Sequence, residues 1–255
     1  MPELAVDGLG IHYTTEGEGP PLVLLHGATS TGTHDWGAQR PLLRQSFTLF
    51  MPDARGHGQT RWDIRDGWDP SLLVDDLLAF VDALGLARFR LMGLSMGGAT
   101  ALDFATRHPQ RIECLVVVSA SNETEPARSV ARRRLDPGSI ERDDPAWAEE
   151  LAQRHDPGQG AGAWRRLVAA LRDGAHLAAP LSPEALRGVR VPVLLAYGDD
   201  DPWVPLEQAV RLRRQLPDAR LLVVPGAGHV IPAERPSVFN AAVVQFLRFP
   251  ASRRG

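Results

Sequence analysis

The chain contains no lysine, and all 28 of its basic residues are arginine. Walker A loops bind phosphate through a lysine, and Schiff-base enzymes need a side-chain amine, so both chemistries are excluded. The sequence also has no G-x-G-x-x-G run, which is the fingerprint of a dinucleotide-binding turn. We therefore expect neither a Walker-type nucleotide site nor a Rossmann dinucleotide site.

Cysteine is almost absent, since Cys114 is the single one and lies in an apolar run. It cannot form an internal disulfide, and this setting predicts a buried core thiol, not a nucleophile. No pair of histidines has the spacing of metal ligands together with a third ligand, so we expect no zinc site and no other cofactor.

Charge and hydropathy exclude further classes of function. The net charge is −3, which argues against a basic face for nucleic acid. No apolar run reaches the roughly 18 residues of a membrane span. Residues 1–5 lack the basic and apolar segments of a secretory signal, so we expect a cytoplasmic protein. A chain of 255 residues, 44% of them hydrophobic, suits one large α/β domain.

Apolar strand patterns alternate with amphipathic helix patterns along most of the chain. A hairpin is predicted at the start, followed by a strand at Leu22–Leu25 whose unbroken apolar run is typical of burial on both faces. Such alternation predicts an α/β fold with a mostly parallel, doubly wound sheet and right-handed crossovers. The later predicted strands are 47–51, 91–94, 112–119, 191–197 and 220–224, and the predicted helices are 36–45, 72–84, 97–107 and 238–248.

The alternation stops between residues 122 and 190, where three short helical segments surround Ala146, Ala163 and Pro183. Compact domains rarely contain a structureless loop of this length. We therefore predict a helical cap at 122–190, inserted into a core formed by 1–121 and 191–255.

Gly93-Leu94-Ser95-Met96-Gly97 matches G-x-S-x-G, with a strand pattern before it and a helix pattern after it. This is the context of a nucleophile elbow, in which a sharp turn exposes the serine hydroxyl. Small residues two positions before and after the serine are needed because larger side chains would clash. Ser95 is therefore the predicted nucleophile.

A serine hydroxyl needs a base to accept its proton, and the base needs a carboxylate to orient it. In elbow-type hydrolases these residues follow the serine in the order acid, then histidine. His229 lies in a glycine-flanked loop after the last strand and is the predicted base. Asp201, the third residue after Gly198, is the predicted acid, with Asp200 as the alternative.

The main-chain N–H groups of Ala28 and Met96 are the predicted oxyanion donors, because one follows a buried strand and the other follows the nucleophile. Thr29 could add a hydroxyl near the site or play a plain loop role. His26 is expected to brace the same loop without taking part in the chemistry.

Four further histidines are assigned structural or surface positions. His57, within Asp53-Ala54-Arg55-Gly56-His57-Gly58, is expected to stabilise a turn. His108, His155 and His176 are expected at the surface or at helix ends.

At these motifs the chain resembles the α/β-hydrolase superfamily over nearly its whole length. Within it the core is most similar to small bacterial carboxylesterases, enol-lactonases of the 3-oxoadipate type and cofactor-free haloperoxidases. The resemblance implies a serine hydrolase that cleaves a small-molecule ester or lactone. The matching segments are His26-Gly27, Asp53 to Gly58, Gly93 to Gly98, Gly198 to Pro205, and Gly228-His229 with Glu234-Arg235-Pro236.

Departures from the related patterns narrow the assignment. Epoxide hydrolases and haloalkane dehalogenases have an aspartate where this chain has Ser95. The meta-cleavage C–C hydrolases share a stretch like Ser95 to Leu102, but they have a glycine-rich oxyanion loop and a tryptophan where Val230 stands. A C–C hydrolase or lyase with the same triad remains an alternative, as does a ligand-binding receptor with weak hydrolysis.

The acyl pocket is the part that the sequence defines least. Candidate substrate contacts are Thr29 and Val230, and large aromatic side chains provide candidate walls although such residues more often pack in a core. The candidate walls are Trp147, Trp164 and Trp203.

The sequence leaves the assembly state open between a monomer and a homodimer.

Overall fold

The computed structural model of the chain describes residues 3–63, 68–174 and 179–250. Within them, eight strands form a single sheet. The strands are β1 (Glu3–Val6), β2 (Leu9–Glu16), β3 (Pro21–Leu25), β4 (Thr48–Pro52), β5 (Phe89–Leu94), β6 (Ile112–Val118), β7 (Val193–Gly198) and β8 (Ala219–Val224). Their order across the sheet is β1-β2-β4-β3-β5-β6-β7-β8.

The sheet is mostly parallel. The predicted hairpin forms β1 and β2, which are antiparallel, and β2 is also antiparallel to β4. All the other neighbouring strands run parallel, with helical crossovers between them. The predicted α/β class with a mostly parallel sheet is confirmed.

Helices cover both faces of the sheet. They are α1 (Arg40–Leu43), α2 (Leu72–Ala83), α3 (Met96–Arg107), α4 (Ala127–Arg134), α5 (Pro137–Asp143), α6 (Pro145–Gln159), α7 (Ala163–Gly174), α8 (Pro183–Gly188), α9 (Leu206–Gln215), α10 (Ile231–Glu234) and α11 (Pro236–Arg248). Alternate strand residues point to opposite faces, so Leu91 packs with α2 and α3 while Met92 packs with α1 and α11. This double cover explains why β3 shows no polar alternation.

The helix predicted at 36–45 is shorter than expected. Residues 33–39 form turns, and α1 begins only at Arg40. Pro41 lies at the start of α1, where the missing N–H of proline costs nothing and its fixed φ favours a first turn.

Five helices, α4 to α8, lie between β6 and β7, where the sequence predicted three. They share a hydrophobic cluster with Trp68 and Leu73, in which Trp164, Leu167 and Leu171 of α7 pack with Leu151 of α6. Residues 175–178 of this stretch, which include His176, lie outside the described residues.

Cys114 lies in β6 and is fully buried and free. Burial raises the pKa of its thiol to about 12, so the thiolate required of a nucleophile is strongly disfavoured. Among the described helices, none is both long and apolar enough to cross a membrane.

Candidate active site

Ser95 occupies the sharp turn between β5 and α3, with φ 53° and ψ −114°. The strained backbone is held because the Ser95 N–H donates to the Val118 carbonyl at 2.8 Å. Glycine is required on both sides. A Cβ at Gly93 would collide with the carbonyl of Gly97, and a Cβ at Gly97 would lie 2.5 Å from the carbonyl oxygen of Leu25. The turn therefore forms only with small residues at these positions.

A continuous hydrogen-bonded line joins Ser95, His229 and Asp201. The Oγ of Ser95 lies 2.8 Å from Nε2 of His229. On the other side of the ring, Nδ1 lies 2.9 Å from Oδ2 and 3.0 Å from Oδ1 of Asp201. A carboxylate at Nδ1 favours the tautomer with its proton there, which leaves Nε2 free to accept the serine proton.

The Asp201 carboxylate is fully buried and rigidly held. Its Oδ1 accepts hydrogen bonds from the N–H groups of Trp203, at 2.8 Å, and Val204, at 3.2 Å. The neighbouring Asp199 and Asp200 are exposed. Asp199 accepts from the Gly226 N–H at 2.6 Å. The structure thus brings Asp201 to His229, and not the alternative Asp200.

Glu234 fixes the loop that presents His229, and sequence reasoning assigned it no role at the site. Its carboxylate accepts from the N–H of Gly228 at 2.6 Å and from the N–H of Val230 at 2.9 Å. Glu234, the last residue of α10, thus binds the N–H of the N-cap residue Val230 and one N–H further back. Val230 has no side-chain oxygen, so the capping-box pattern that would have signalled this contact is absent from the sequence.

Trp203 covers one face of the His229 ring. Its ring stacks on the His229 imidazole with centroids 5.4 Å apart and planes at 30°. The imidazole is consequently only 17% exposed, and its orientation is restricted by packing as well as by hydrogen bonds.

The loop after β3 passes directly beside the nucleophile, since a Cβ on Gly27 would lie 3.7 Å from the Cβ of Ser95. The Gly27–Ala28 peptide is held through its carbonyl, which faces Nδ1 of His26 at 2.8 Å and accepts from the Ser30 N–H at 3.2 Å. Its N–H belongs to Ala28, which borders the same cavity as Ser95. Asp35 accepts from the Gly27 N–H at 2.7 Å and braces the loop.

Met96 supplies the second predicted donor. As the first residue of α3, it has a main-chain N–H with no acceptor within the helix. Met96 also borders the cavity. Both predicted donors therefore lie at the cavity that contains Ser95, and the arrangement can stabilise a developing negative charge.

Three histidines form a buried cluster beneath this loop. The ring of His57 lies 4.9 Å from that of His26 and 5.6 Å from that of His155, measured between centroids. Nε2 of His26 accepts from the Ala54 N–H. The two ring nitrogens of His57 face the carbonyls of Arg55 and Ala28, and the neutral imidazole donates its one N–H to one of them. The bracing role expected for His26 and the turn role expected for His57 agree with these contacts.

The sequence predicted that His155 lies at the surface or at a helix end. The structure shows instead that it is fully buried. It joins α6 to the core, with Nδ1 accepting from the Gly58 N–H at 3.1 Å and Nε2 lying 3.4 Å from the Thr29 carbonyl. Burial, reinforced by neighbouring imidazoles, lowers the pKa of His57 to about 4 and that of His155 to about 2. Both side chains are therefore neutral near pH 7.

A cavity of about 640 Å³ opens at Ser95 and His229. Its walls are mainly apolar and come from the core and from the helices between β6 and β7. They include Trp68, Leu135, Leu171, Trp203 and Val204. Such a concave, largely apolar space with a few polar groups is typical of a small-molecule site.

Of the predicted substrate-binding residues, Trp203 lines this cavity and four others do not. Trp164 is buried among the helices, and Trp147 packs against the same cluster. Thr29 instead contacts the cap helix α6: its carbonyl accepts a hydrogen bond from Arg154 at 3.2 Å and lies 3.4 Å from Nε2 of His155. Val230 packs against the core on the α11 face.

Trp68 is a wall residue that the sequence did not reveal. It lies before α2 in a segment without periodicity. Among the described residues, no group of three or more His, Cys, Asp or Glu side chains could hold a metal ion.

Comparison with known proteins extends these observations. The model of the Alpha/beta hydrolase family matches residues 22–242. A putative carbamate hydrolase RutD of Agrobacterium fabrum is 29% identical over 93% of this chain and 96% of its own length. A 2-hydroxy-6-oxo-6-phenylhexa-2,4-dienoate hydrolase of Comamonas testosteroni is 27% identical over 93% and 91%. The crystal structure of the enol-lactonase from Burkholderia xenovorans superposes with a TM-score of 0.78 at 25% identity, covering 97% of this chain and 100% of the other.

Proposed function

The chain belongs to the alpha/beta hydrolase family, and we propose that it is a serine hydrolase that cleaves a carboxylic ester or a lactone. The observation that carries the proposal is the hydrogen-bonded line from Asp201 through His229 to the Ser95 hydroxyl. That line ends at the mouth of a largely apolar cavity. It provides a nucleophile, a base and an orienting acid within reach of one bound carbonyl group.

In the acylation step, Ser95 Oγ attacks the substrate carbonyl carbon while Nε2 of His229 accepts the hydroxyl proton. Asp201 holds the ring and stabilises the imidazolium that forms. The carbonyl oxygen becomes an oxyanion, which receives hydrogen bonds from the N–H groups of Ala28 and Met96. When the tetrahedral intermediate collapses, the C–O bond to the leaving group breaks and His229 returns the proton to the departing alcohol.

In the deacylation step, His229 takes a proton from a water molecule, which attacks the Ser95 ester. The second tetrahedral intermediate uses the same two N–H groups. When it collapses, the bond between the carbonyl carbon and Ser95 Oγ breaks, His229 returns its proton to Oγ, and the carboxylic acid is released. A lactone follows the same course, with its alcohol and acid remaining on one molecule.

Residues 122–190 serve in this proposal as a cap that shapes the acyl pocket. Ala131 of α4, Leu135 just after that helix, and Leu171 of α7 line the cavity on the side contributed by these helices. The buried contact of His155 with the Thr29 carbonyl ties the same helices to the loop of Ala28. The cap would therefore influence both the acyl preference and the placement of one oxyanion donor.

C–C bond hydrolysis is the second candidate, because the Comamonas relative, which matches 93% of this chain, is named as the hydrolase of a hydroxy-oxo-dienoate, a compound without an ester bond. It would use the same side chains for proton transfer to carbon. A carbon-acid substrate that lacks a labile ester distinguishes the two reactions.

A substrate panel tests the proposal. It comprises p-nitrophenyl acetate and butyrate, γ-butyrolactone, a p-nitrophenyl carbamate and a vinylogous 1,5-diketone, each assayed with wild type and with Ser95→Ala. We expect the highest kcat/KM on an ester or lactone, with a loss of at least about 10³-fold in the variant. Preferential turnover of the diketone would instead support C–C hydrolysis.

A further inference from the structure

Ser119 is a buried polar residue that the catalytic line does not use. It follows β6, has φ 50°, and is only 1% exposed. Its Oγ is buried without a hydrogen-bond partner among the described residues. It lines the cavity that holds Ser95 and His229.

The sheet places Ser119 next to the nucleophile. Leu94 and Val118 are paired in register at the ends of β5 and β6, and Ser95 and Ser119 are the residues that directly follow them. The Ser95 N–H donates to the Val118 carbonyl at 2.8 Å. Adjacent strands lie about 4.8 Å apart. The Ser119 N–H donates to the Ala196 carbonyl of β7 at 2.9 Å. Ser119 therefore lies between the nucleophile and the strand that leads to Asp201.

Stability alone does not favour a serine here. A buried hydroxyl without a partner costs free energy, and a positive φ in a residue other than glycine adds strain. Alanine would remove the first cost and glycine would remove both. A group bound in the cavity would supply the missing hydrogen-bond partner and so offset this cost.

Two neighbouring polar side chains of the cavity wall, Asn122 and Ser121, already have hydrogen-bond partners. The Asn122 amide bonds the main chain of Leu181 on both sides. Ser121 Oγ accepts from the Glu123 N–H at 3.0 Å. Among the described unpartnered buried polar atoms, Ser119 Oγ is the one in this wall.

We propose that Ser119 is a specificity-determining residue whose Oγ hydrogen-bonds an oxygen substituent on the substrate close to the scissile carbonyl. The substrate class is therefore a hydroxy- or oxo-substituted ester or lactone. Because Ser119 and Ser95 line the same cavity and follow paired strand ends, a substituent one or two carbons from the carbonyl is the group we expect to meet Ser119 Oγ through one hydrogen bond of about 2.8 Å. A hydroxyl can both donate and accept, so either oxygen type fits. This inference rests on the proposed attack of Ser95 on a carbonyl.

Matched ethyl esters provide the kinetic test: butyrate, 2-hydroxybutyrate, 3-hydroxybutyrate and 3-oxobutyrate. The measured quantity is the ratio of kcat/KM for the substituted ester to that for plain butyrate. We expect wild type to favour a substituted ester and Ser119→Ala to lower that ratio about three- to ten-fold, as the loss of one neutral hydrogen bond implies. An unchanged ratio in Ser119→Ala would overturn the proposal.

Two further variants separate the hydroxyl from the backbone. Ser119→Gly relieves the strain of the positive φ. We expect it to lower the ratio of kcat/KM values as much as Ser119→Ala does. If Ser119→Gly kept the wild-type ratio, the hydroxyl would have no role. Ser129→Ala is the control and should keep the ratio, because Ser129 of α4 lies outside the cavity wall and its hydroxyl donates to Glu125 at 2.7 Å.

A binding measurement separates this inference from the proposed function. In a Ser95→Ala background, calorimetry compares butyrate with 2- and 3-hydroxybutyrate, before and after Ser119→Ala. We expect one hydroxy acid to bind more tightly than butyrate, and the added substitution to abolish the difference. If wild type cleaved none of the esters, the proposed function would be refuted. If butyrate and the hydroxybutyrates bound with equal affinity, the role of Ser119 would be refuted.

Discussion

Glu234 holds His229 from both sides along the chain. Its two carboxylate oxygens accept the N–H groups of Gly228 and Val230, the residues immediately before and after the histidine. His229 in turn reaches both Asp201 and Ser95 through its two ring nitrogens. Glu234 therefore fixes the main chain on both sides of His229 without contacting the ring, while Asp201 and Trp203 orient the imidazole itself.

Replacing Glu234 with glutamine should weaken turnover more than binding. An amide has one acceptor oxygen and presents an NH₂ group to the other N–H, so the loop is released on one side. We expect kcat to fall about ten- to hundred-fold with little change in KM, because misplacement of a catalytic group affects the chemical step. Glu207→Gln, at an exposed position of α9, is the control. A rise in KM at constant kcat would argue against a positioning role.

The adjacent aspartates allow a matched comparison. Asp201→Asn should lower kcat by about 10³- to 10⁴-fold, because the amide favours the wrong tautomer of His229. Asp200→Asn changes an exposed carboxylate and should leave kcat within about two-fold. Steady-state kinetics on p-nitrophenyl butyrate measures both. Equal losses in the two variants would contradict the assignment of Asp201.

The elbow should not tolerate a methyl group at Gly93. A Cβ there would meet the Gly97 carbonyl, whereas a Cβ at Gly188 would meet nothing within 4 Å. We expect Gly93→Ala to lower the free energy of unfolding by at least about 2 kcal/mol and Gly188→Ala to leave it nearly unchanged. Urea denaturation of both variants is the measurement. Similar stabilities would show that the turn can relax around a side chain.

The buried histidines predict how stability depends on pH. His57 and His155 have pKa values of about 4 and about 2 in the folded protein, lowered by burial from 6.5. Below pH 6.5 the unfolded chain binds protons that the folded protein does not. The free energy of unfolding should therefore fall as the pH drops from 6.5 towards 4, by up to about 1.4 kcal/mol per pH unit for each histidine.

His155→Gln tests this dependence, because glutamine does not titrate. Urea unfolding curves near pH 8, 6.5, 5.5 and 4.5 give the slope for wild type and variant. We expect the slope below pH 6.5 to be shallower in the variant, with the values near pH 8 giving the cost of the lost contacts alone. Parallel slopes would mean that His155 takes up a proton without unfolding.

Local sequence patterns predicted the fold, and they identified Ser95, His229 and Asp201 as the candidate nucleophile, base and acid. The elbow depends on residues within a short stretch, and the strand patterns depend on neighbours along the chain, so both can be read from sequence. The structure places these three side chains in contact, and their catalytic roles remain predictions. The choice of Asp201 over Asp200 rested on position after Gly198, and the structure gives its reason in the N–H groups of Trp203 and Val204.

What the sequence missed depends on contacts between distant segments. His155 is buried because α6 packs on residues 97 positions away, at Gly58. The same property explains why Trp164 packs among helices while Trp68 forms a cavity wall. Ser119 gave no signal because a hydroxyl without a partner is visible only once the cavity is known.

The most direct test of the account is the pre-steady-state release of p-nitrophenol from p-nitrophenyl acetate in a stopped-flow instrument. An acyl-enzyme on Ser95 predicts a burst that approaches one equivalent per active site, followed by slower turnover, with both phases lost in Ser95→Ala. A burst that persists in Ser95→Ala, or a folded wild type that releases no p-nitrophenol, would contradict nucleophilic catalysis by Ser95.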